Sequence, residues 1–311
     1  MSDFSPEELS QLLSSHYGIM DADIRFLRQG GSSSYLVDGS SRYLLKAIGS
    51  AFLDTVRSSV SVMRYLHAHA FPVPEVILTR SGEDLLKVNT DGQDRFLLLC
   101  EFIDGQEPDL SACAAQAGEL TALLHSLLAQ YPEPLLIRDR HFFIDRYLDF
   151  LRAKNYPRIA SYEALGDLLW QQVACQPITA CHGDLHRGNL LQTKHGDIYF
   201  LDFETVCRAP AMFDNMVLCD MTDYFRLAAE DIDTAMGTYE SFLSGYCLHR
   251  PLSRDEIRSF PVWVAIRHFQ LQATILELYG MDCIDEAFID RQLDWLHQWT
   301  RYTIAEIGGT L

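Results

Sequence analysis

The chain has no long apolar run. Its richest stretch, Phe96 to Ile103, is broken by Glu101 and falls far short of the roughly 20 residues that a membrane helix needs. The first residues, Met1-Ser-Asp-Phe-Ser-Pro-Glu-Glu, lack the basic and apolar regions of a secretory signal, so a soluble, cytoplasmic protein is expected. No Cys-x-x-Cys pair occurs among Cys100, Cys113, Cys175, Cys181, Cys207, Cys219, Cys247 and Cys283. Such scattered spacing suits neither a zinc site nor a disulfide framework, and implies reduced, mostly buried thiols. Internal repeats, low-complexity tracts and Pro/Gly/Ser-rich linkers are absent too. Basic residues are scarce: 25 Lys and Arg oppose 43 Asp and Glu, a formal charge of −18. An acidic surface repels nucleic acid and anionic membranes, so neither is an expected partner. What is present is apolar material, 48% of 311 residues with 11% aromatic, enough to bury a sizeable core and to argue against disorder.

The pattern of that material changes along the chain. Ser5-Pro6-Glu7-Glu8 reads as a capping box with proline at N1, Leu9, Leu12, Leu13 and Tyr17 continue a helix, and Gly18 stops it. Strands are expected near 24–28, 34–38 and 43–48, separated by Gly30-Gly31-Ser32-Ser33-Ser34 and the Asp38-Gly39 turn. A helix follows through Phe52, Val56, Val60, Met63 and Leu66, then strands near 75–78, 85–88 and 95–102. After Gly105 long helical patterns cover 109–130, 141–154 and 160–174, a turn-and-strand region runs from 178 to 203, and helices continue almost to the end. A β-rich first third before a helical remainder predicts an α+β fold of two lobes, 1–102 and 103–311, with a short hinge near 101–105.

The chemistry concentrates in Ile178-Thr-Ala-Cys-His182-Gly-Asp184-Leu-His186-Arg-Gly-Asn189 and Leu201-Asp202-Phe203-Glu204. Phosphoryl transfer needs a carboxylate to orient the attacking hydroxyl, oxygen ligands for Mg²⁺ on the nucleotide phosphates, and a cation to steady the nucleotide. His-x-Asp-x-x-x-x-Asn supplies the carboxylate, Asp184, and one ligand, Asn189, from a single loop. An aspartate ending a strand about a dozen residues later, Asp202, supplies another ligand. A turn merely capped by Asp and Asn is the bland alternative.

This stretch resembles the aminoglycoside phosphotransferase and choline kinase superfamily, which is distantly similar to protein kinases. The resemblance implies a kinase-like fold, with a β-rich N-terminal nucleotide-binding lobe and a larger helical C-terminal lobe. It also implies ATP and Mg²⁺ as cofactors and a small-molecule acceptor. Gly30, Gly31, Ser32 and Ser33 would then cover the phosphates, Lys46 would hold the nucleotide, and Glu101 and Phe102 would meet adenine through backbone groups. Glu204 stands where protein kinases have the glycine of Asp-Phe-Gly, as in choline-kinase-like members; it is either a further metal contact or a structural carboxylate. His182 reads as a support for the loop, His125 as structural, and nothing suggests that His186 binds zinc. One departure stands out, because the glutamate that usually pairs with the lysine is missing near Ser59. Asp54 is the nearest candidate; either it substitutes, or Lys46 is held differently.

The substrate types implied are choline or ethanolamine, homoserine, amino sugars and aminoglycosides. Alternatives are a protein Ser/Thr kinase of the bacterial stress-response type and a nucleotide-binding pseudokinase. The chain runs from Glu204 through Pro210 into helix without an activation segment, which favours small substrates, and Asp184, Asn189 and Asp202 are all present. From Asp202 to Asp290 there are 16 acidic residues, six arginines and no lysine, so a cationic acceptor is the sharper possibility. Tyr224, Tyr239, Tyr246, Trp263 and Tyr279 are aromatic candidates to face it.

Overall fold

Ser5 starts the first helix as its spacing predicts. In the computed structural model, which describes residues 4–29, 32–90, 92–227 and 232–307, the Glu8 N–H donates to the Ser5 hydroxyl at 3.2 Å. The Ser5 N–H in turn donates to the Glu8 carboxylate at 2.8 Å. Helix α1 (Pro6–Tyr17) then ends at Gly18, with φ +77°. Next come β1 (Asp23–Gln29), β2 (Ser32–Asp38), β3 (Arg42–Gly49), α2 (Leu53–Ala68), β4 (Leu86–Thr90), β5 (Gln93–Glu101) and the two-residue β6 (Gly105–Gln106). The first five strands form an antiparallel sheet in the order β1-β2-β3-β5-β4. Alternation puts Tyr35, Val37, Leu45, Ala47, Leu97 and Leu99 on one face, buried with Phe4, Leu9 and Leu13. Lys46, opposite Ser34 on β2 and Leu98 on β5, therefore projects from the other face.

One expected strand is missing. The 75–78 segment makes a single bridge, Val76 to Cys100, because Pro72 and Pro74 just ahead of it restrict the backbone and remove donors.

The chain continues through α3 (Leu110–Leu128), β7 (Leu136–Ile137), a π-helical turn over 141–145, α4 (Arg146–Ala153), α5 (Ile159–Val173) and β8 (Ile178–Cys181). A hairpin of β9 (Leu190–Thr193) and β10 (Ile198–Phe200) pairs with β6. Then follow β11 (Cys207–Pro210), which joins β7 and β8, and the helices α6 (Met212–Cys219), α7 (Ile232–Tyr246), α8 (Arg254–Arg258), α9 (Phe260–Tyr279) and α10 (Glu286–Ile307). Two compact units result. The first holds residues 1–108 and 188–205, the second 109–187 and 206–311, so the β9–β10 hairpin belongs with the five-stranded sheet. Among the described residues no helix is long and apolar enough to cross a membrane. All eight cysteines are free, five of them buried.

In the second unit α9 is apolar nearly all round and buries most of its length, including Trp263 and Phe269, as a central helix must. Helices α3 and α7 meet through two glycines. A Cβ on Gly118 would overlap the Phe242 carbonyl oxygen, and one on Gly245 that of Ala115. Only hydrogen fits where two backbones approach this closely. Gly118→Ala and Gly245→Ala should each destabilise the protein by about 1–3 kcal/mol, the usual range for overpacking. Urea denaturation reads this directly, and unchanged midpoints in both variants would refute the close approach.

Candidate active site

In the first unit the β9–β10 hairpin gathers oxygen donors. Leu190 pairs with Phe200, and one step further the Leu201 N–H donates to the Asn189 carbonyl at 2.9 Å. Asn189 thus lies beside the residue that precedes Asp202. Asp202 has φ +62°, a left-handed conformation that is costly for a residue with a side chain and tends to mark functional positions. Glu204 follows in a 3₁₀ turn, Phe203–Thr205, anchored by the buried ring of Phe203 and packed by α2. Partial burial, then the Asp202 charge, raise the Glu204 carboxyl pKa, while Lys46 lowers it. Asn189, Asp202 and Glu204 together offer one amide and two carboxylates, the donor set that a hard divalent cation takes.

Among the described residues Lys46 makes no ion pair, and Asp54 is exposed on α2. The Lys46 charge is felt by the Glu204 carboxyl. Ser32 lies on the Lys46 face of the sheet, whereas Ser33 points to the opposite, buried face. Gly30 and Gly31 lie outside the described residues. The Glu101 N–H donates to the Glu75 carbonyl at 2.8 Å and the Phe102 N–H to the Arg42 carbonyl at 3.1 Å. A nucleobase at this strand end therefore has to be read by groups other than these two donors.

In the second unit the loop carrying Asp184 is held by a residue the sequence did not single out. Asp214, fully buried in the first turn of α6, accepts from the His182 N–H at 2.6 Å and the Gly183 N–H at 2.9 Å. It also accepts from His125 Nε2–H at 2.9 Å, and Tyr246 contacts the other ring nitrogen of His125 at 2.8 Å. Desolvation alone would raise the Asp214 pKa. The His125 hydrogen bond, the charges of His125 and His182 and the Gly183 N–H outweigh it, and the carboxyl sits below its ordinary value of 3.8. His125, Cys181 and Asp214 present atoms within 4.8 Å of one another. They form a satisfied hydrogen-bond network rather than a metal centre. Both Asp214 oxygens are taken, and burial holds the Cys181 thiol far up its range while it contacts the Ala209 carbonyl.

Asp184 itself is half-buried. Its Oδ1 accepts from Arg267 Nη2 of α9 at 2.9 Å, and His186 Nε2 lies 3.7 Å from Oδ2. The Arg267 charge is also felt by Asp220, whose pKa burial raises while Tyr224 and Thr222 donate to it. Of the five aromatics singled out from the sequence, Tyr239, Tyr246 and Trp263 are core and Tyr279 is 75% exposed. Tyr224 alone joins this group. No local pattern announces Arg267 or Asp214, because each acts across a long stretch of chain. The only sequence signal was Phe213-Asp214 opening a helix just after Asp202.

A profile of the phosphotransferase enzyme family (APH) matches residues 23–249. The chain belongs to this family. It is 23% identical to an uncharacterized protein of Deinococcus radiodurans, covering 95% of this chain and 90% of that one. Its fold is similar to that of an amicoumacin kinase solved with AMP-PNP, Ca²⁺ and amicoumacin (TM-score 0.73, 16% identity, 97% and 95% of the two chains). It is equally similar to a microcompartment-associated aminopropanol kinase (TM-score 0.73, 19% identity, 98% and 99%). Choline kinase of Cryptosporidium parvum shares the fold as well (TM-score 0.65, 15% identity, 97% of each).

In this phosphotransferase the buried Asp214 gives a pH signature. A carboxyl with a depressed folded pKa binds its proton more weakly folded than unfolded. Its contribution is complete above the unfolded value and is lost as pH falls through the folded one. Asp214→Ala should cost roughly 3–5 kcal/mol at neutral pH, as when a buried charge pair is broken. It should also flatten the loss of stability below the ordinary 3.8. Thermal melts across the acid range test both, and an acid limb as steep as wild type would remove Asp214 from this role.

Proposed function

We propose that the enzyme transfers the γ-phosphoryl group of ATP, as its Mg²⁺ complex, to a hydroxyl of a small amino-alcohol or aminoglycoside-like acceptor. The observation that carries this reading is the oxygen cluster of Asn189, Asp202 and Glu204 at the end of one hairpin. Asp184 stands five residues before Asn189 on the same loop. Two neighbouring carboxylates raise each other's energy, and a divalent cation bridging nucleotide phosphates relieves that repulsion. Lys46, projecting from the sheet toward the Glu204 charge, suits the α- and β-phosphates. Asp184 would orient the acceptor hydroxyl and accept its proton. Much of the acceleration then comes from positioning and charge neutralisation, because little covalent chemistry is asked of the protein.

The acceptor class is supported by the kinases of similar fold, named for amicoumacin, aminopropanol, spectinomycin and choline. It is supported as well by Asp220 and Tyr224, a half-buried carboxylate and an aromatic ring grouped with Arg267 and the base. A carboxylate in such surroundings gains by meeting an ammonium group.

A coupled ADP-release screen over aminopropanol, choline, ethanolamine, homoserine, spectinomycin and a neutral polyol tests the class. Turnover restricted to the polyol would refute an amine-bearing acceptor. Asp184→Asn should keep Mg·ATP binding and lower turnover by roughly 10²–10⁴-fold, the usual worth of a positioned base. Activity within a few-fold of wild type would dismiss that role. Asp202→Ala should abolish Mg²⁺-dependent ATP binding in calorimetric titration, since it removes a charged ligand. Normal affinity there would overturn the metal assignment.

A further inference from the structure

We infer that Arg267 is a positioning residue for the base: its guanidinium, locked in place from within α9, fixes the carboxylate of Asp184 toward the acceptor. This rests on the reading of Asp184 given above.

The argument begins with what holds the arginine. Arg267 is buried, and its Nη1 donates to the Gln270 amide oxygen one turn along the same helix. The orientation of Gln270 is itself determined. Its Nε2 donates to Thr274 Oγ1 at 3.2 Å, and the Thr274 hydroxyl spends its proton on the Gln270 carbonyl at 3.1 Å. Oε1 must therefore face the guanidinium. The Phe213 ring lies 5.8 Å from the guanidinium carbon. Farther along, Arg146 reaches Thr274 at 3.4 Å and Glu277 at 2.7 Å, so this stripe of α9 is a connected polar array. The fork of Arg267 is thus set by groups other than Asp184.

Its second arm, Nη2, donates to Asp184 Oδ1 at 2.9 Å. A planar guanidinium fixes direction as well as distance, which an ammonium on a flexible stem does not. Asp184 sits on a loop, whereas Arg267 sits on a long helix that is buried over most of its length. Orientation therefore passes from helix to loop, and small displacements of a catalytic group are expensive in rate. Asp220, whose carboxyl also feels the Arg267 charge, keeps the buried arginine electrostatically accompanied and need not touch the reacting hydroxyl.

The test is a double-mutant cycle on turnover, using the acceptor that the panel above selects and radiolabelled ATP to reach low rates. Arg267→Met should lower kcat about 10–100-fold, with the KM for ATP within about twofold of wild type and a cooperative melt. In an Asp184→Asn background the same substitution should change kcat by less than about twofold, because the carboxylate it positions is already gone. Equal losses in both backgrounds, or no loss in either, would overturn the proposal. If Arg267→Met does not fold, Arg267→Lys, which keeps the buried charge but not the fork, carries the same cycle with the same two outcomes. Should Asp184→Asn alone retain turnover, the base assignment falls and this proposal with it. Should Asp184→Asn be crippled and Arg267→Met neutral, only the arginine's role falls.

Discussion

The buried carboxylate of Asp214 is the interaction on which the second unit's site depends. Placing a lone carboxylate in a protein interior costs several kcal/mol, and only a full set of donors offsets it. Here the donors are two consecutive main-chain N–H groups, of His182 and Gly183, and the ring of His125. Gly183, at φ +88°, can turn its N–H inward without the steric penalty a side chain would bring. Asp184 is the next residue, so the carboxylate on α6 sets where the candidate base leaves the core. The tether extends further: His125 lies on α3 and its partner Tyr246 ends α7. Those two helices approach closely enough to meet only because Gly118 and Gly245 lack side chains. Helix packing, histidine, aspartate and loop form one mechanical chain.

The first unit solves a different electrostatic problem. Asp202 and Glu204 are held near each other by a hairpin end and a 3₁₀ turn, and Lys46 offsets only part of their repulsion. Such a cluster is poorly satisfied by protein alone and well satisfied by a cation, which is what a metal–nucleotide site requires. The left-handed Asp202 fits this account. Strain at this position is tolerable when the β9–β10 pairing and the buried Phe203 ring over-determine the turn.

Much of this was legible in the sequence wherever the physics is local. The capping box at Ser5 and Glu8, the alternation that sends Lys46 out of its sheet and the His182-to-Asn189 spacing all lie within a few residues. The long helical patterns likewise appear at about the expected limits, although 141–154 opens with a π-helical turn. The segment near 75–78 pairs as a single bridge, Val76 to Cys100, rather than as the expected strand, since Pro72 and Pro74 restrict the backbone that leads into it. Arg267 and Asp214 were invisible for another reason. Arg267 meets Asp184 across 83 positions and Asp214 meets His125 across 89, and no periodicity encodes such partners. Beside the Phe213-Asp214 signal, an arginine on a largely apolar helix was a second clue, since a buried charge demands a partner somewhere.

The same distinction governs charge. Sixteen acids against six arginines between Asp202 and Asp290 suggest a field that local structure disperses in part. Asp214 is consumed inside the core, and Glu256 closes the capping box of α8. Glu277 pairs with Arg146, Asp290 with Arg158, and Asp285 accepts from the Phe288 N–H. What remains grouped with the candidate base is a short array, Asp184 and Asp220 with Arg267 between their charges. For the amine-bearing acceptor proposed above, selection would then rest on desolvation rather than on net charge. Burial raises the pKa of Asp220, and any cation beside it holds it ionised, as Arg267 already does in part. A partly desolvated carboxylate discriminates more sharply than many fully solvated ones, because salt and water screen the surface acids the most.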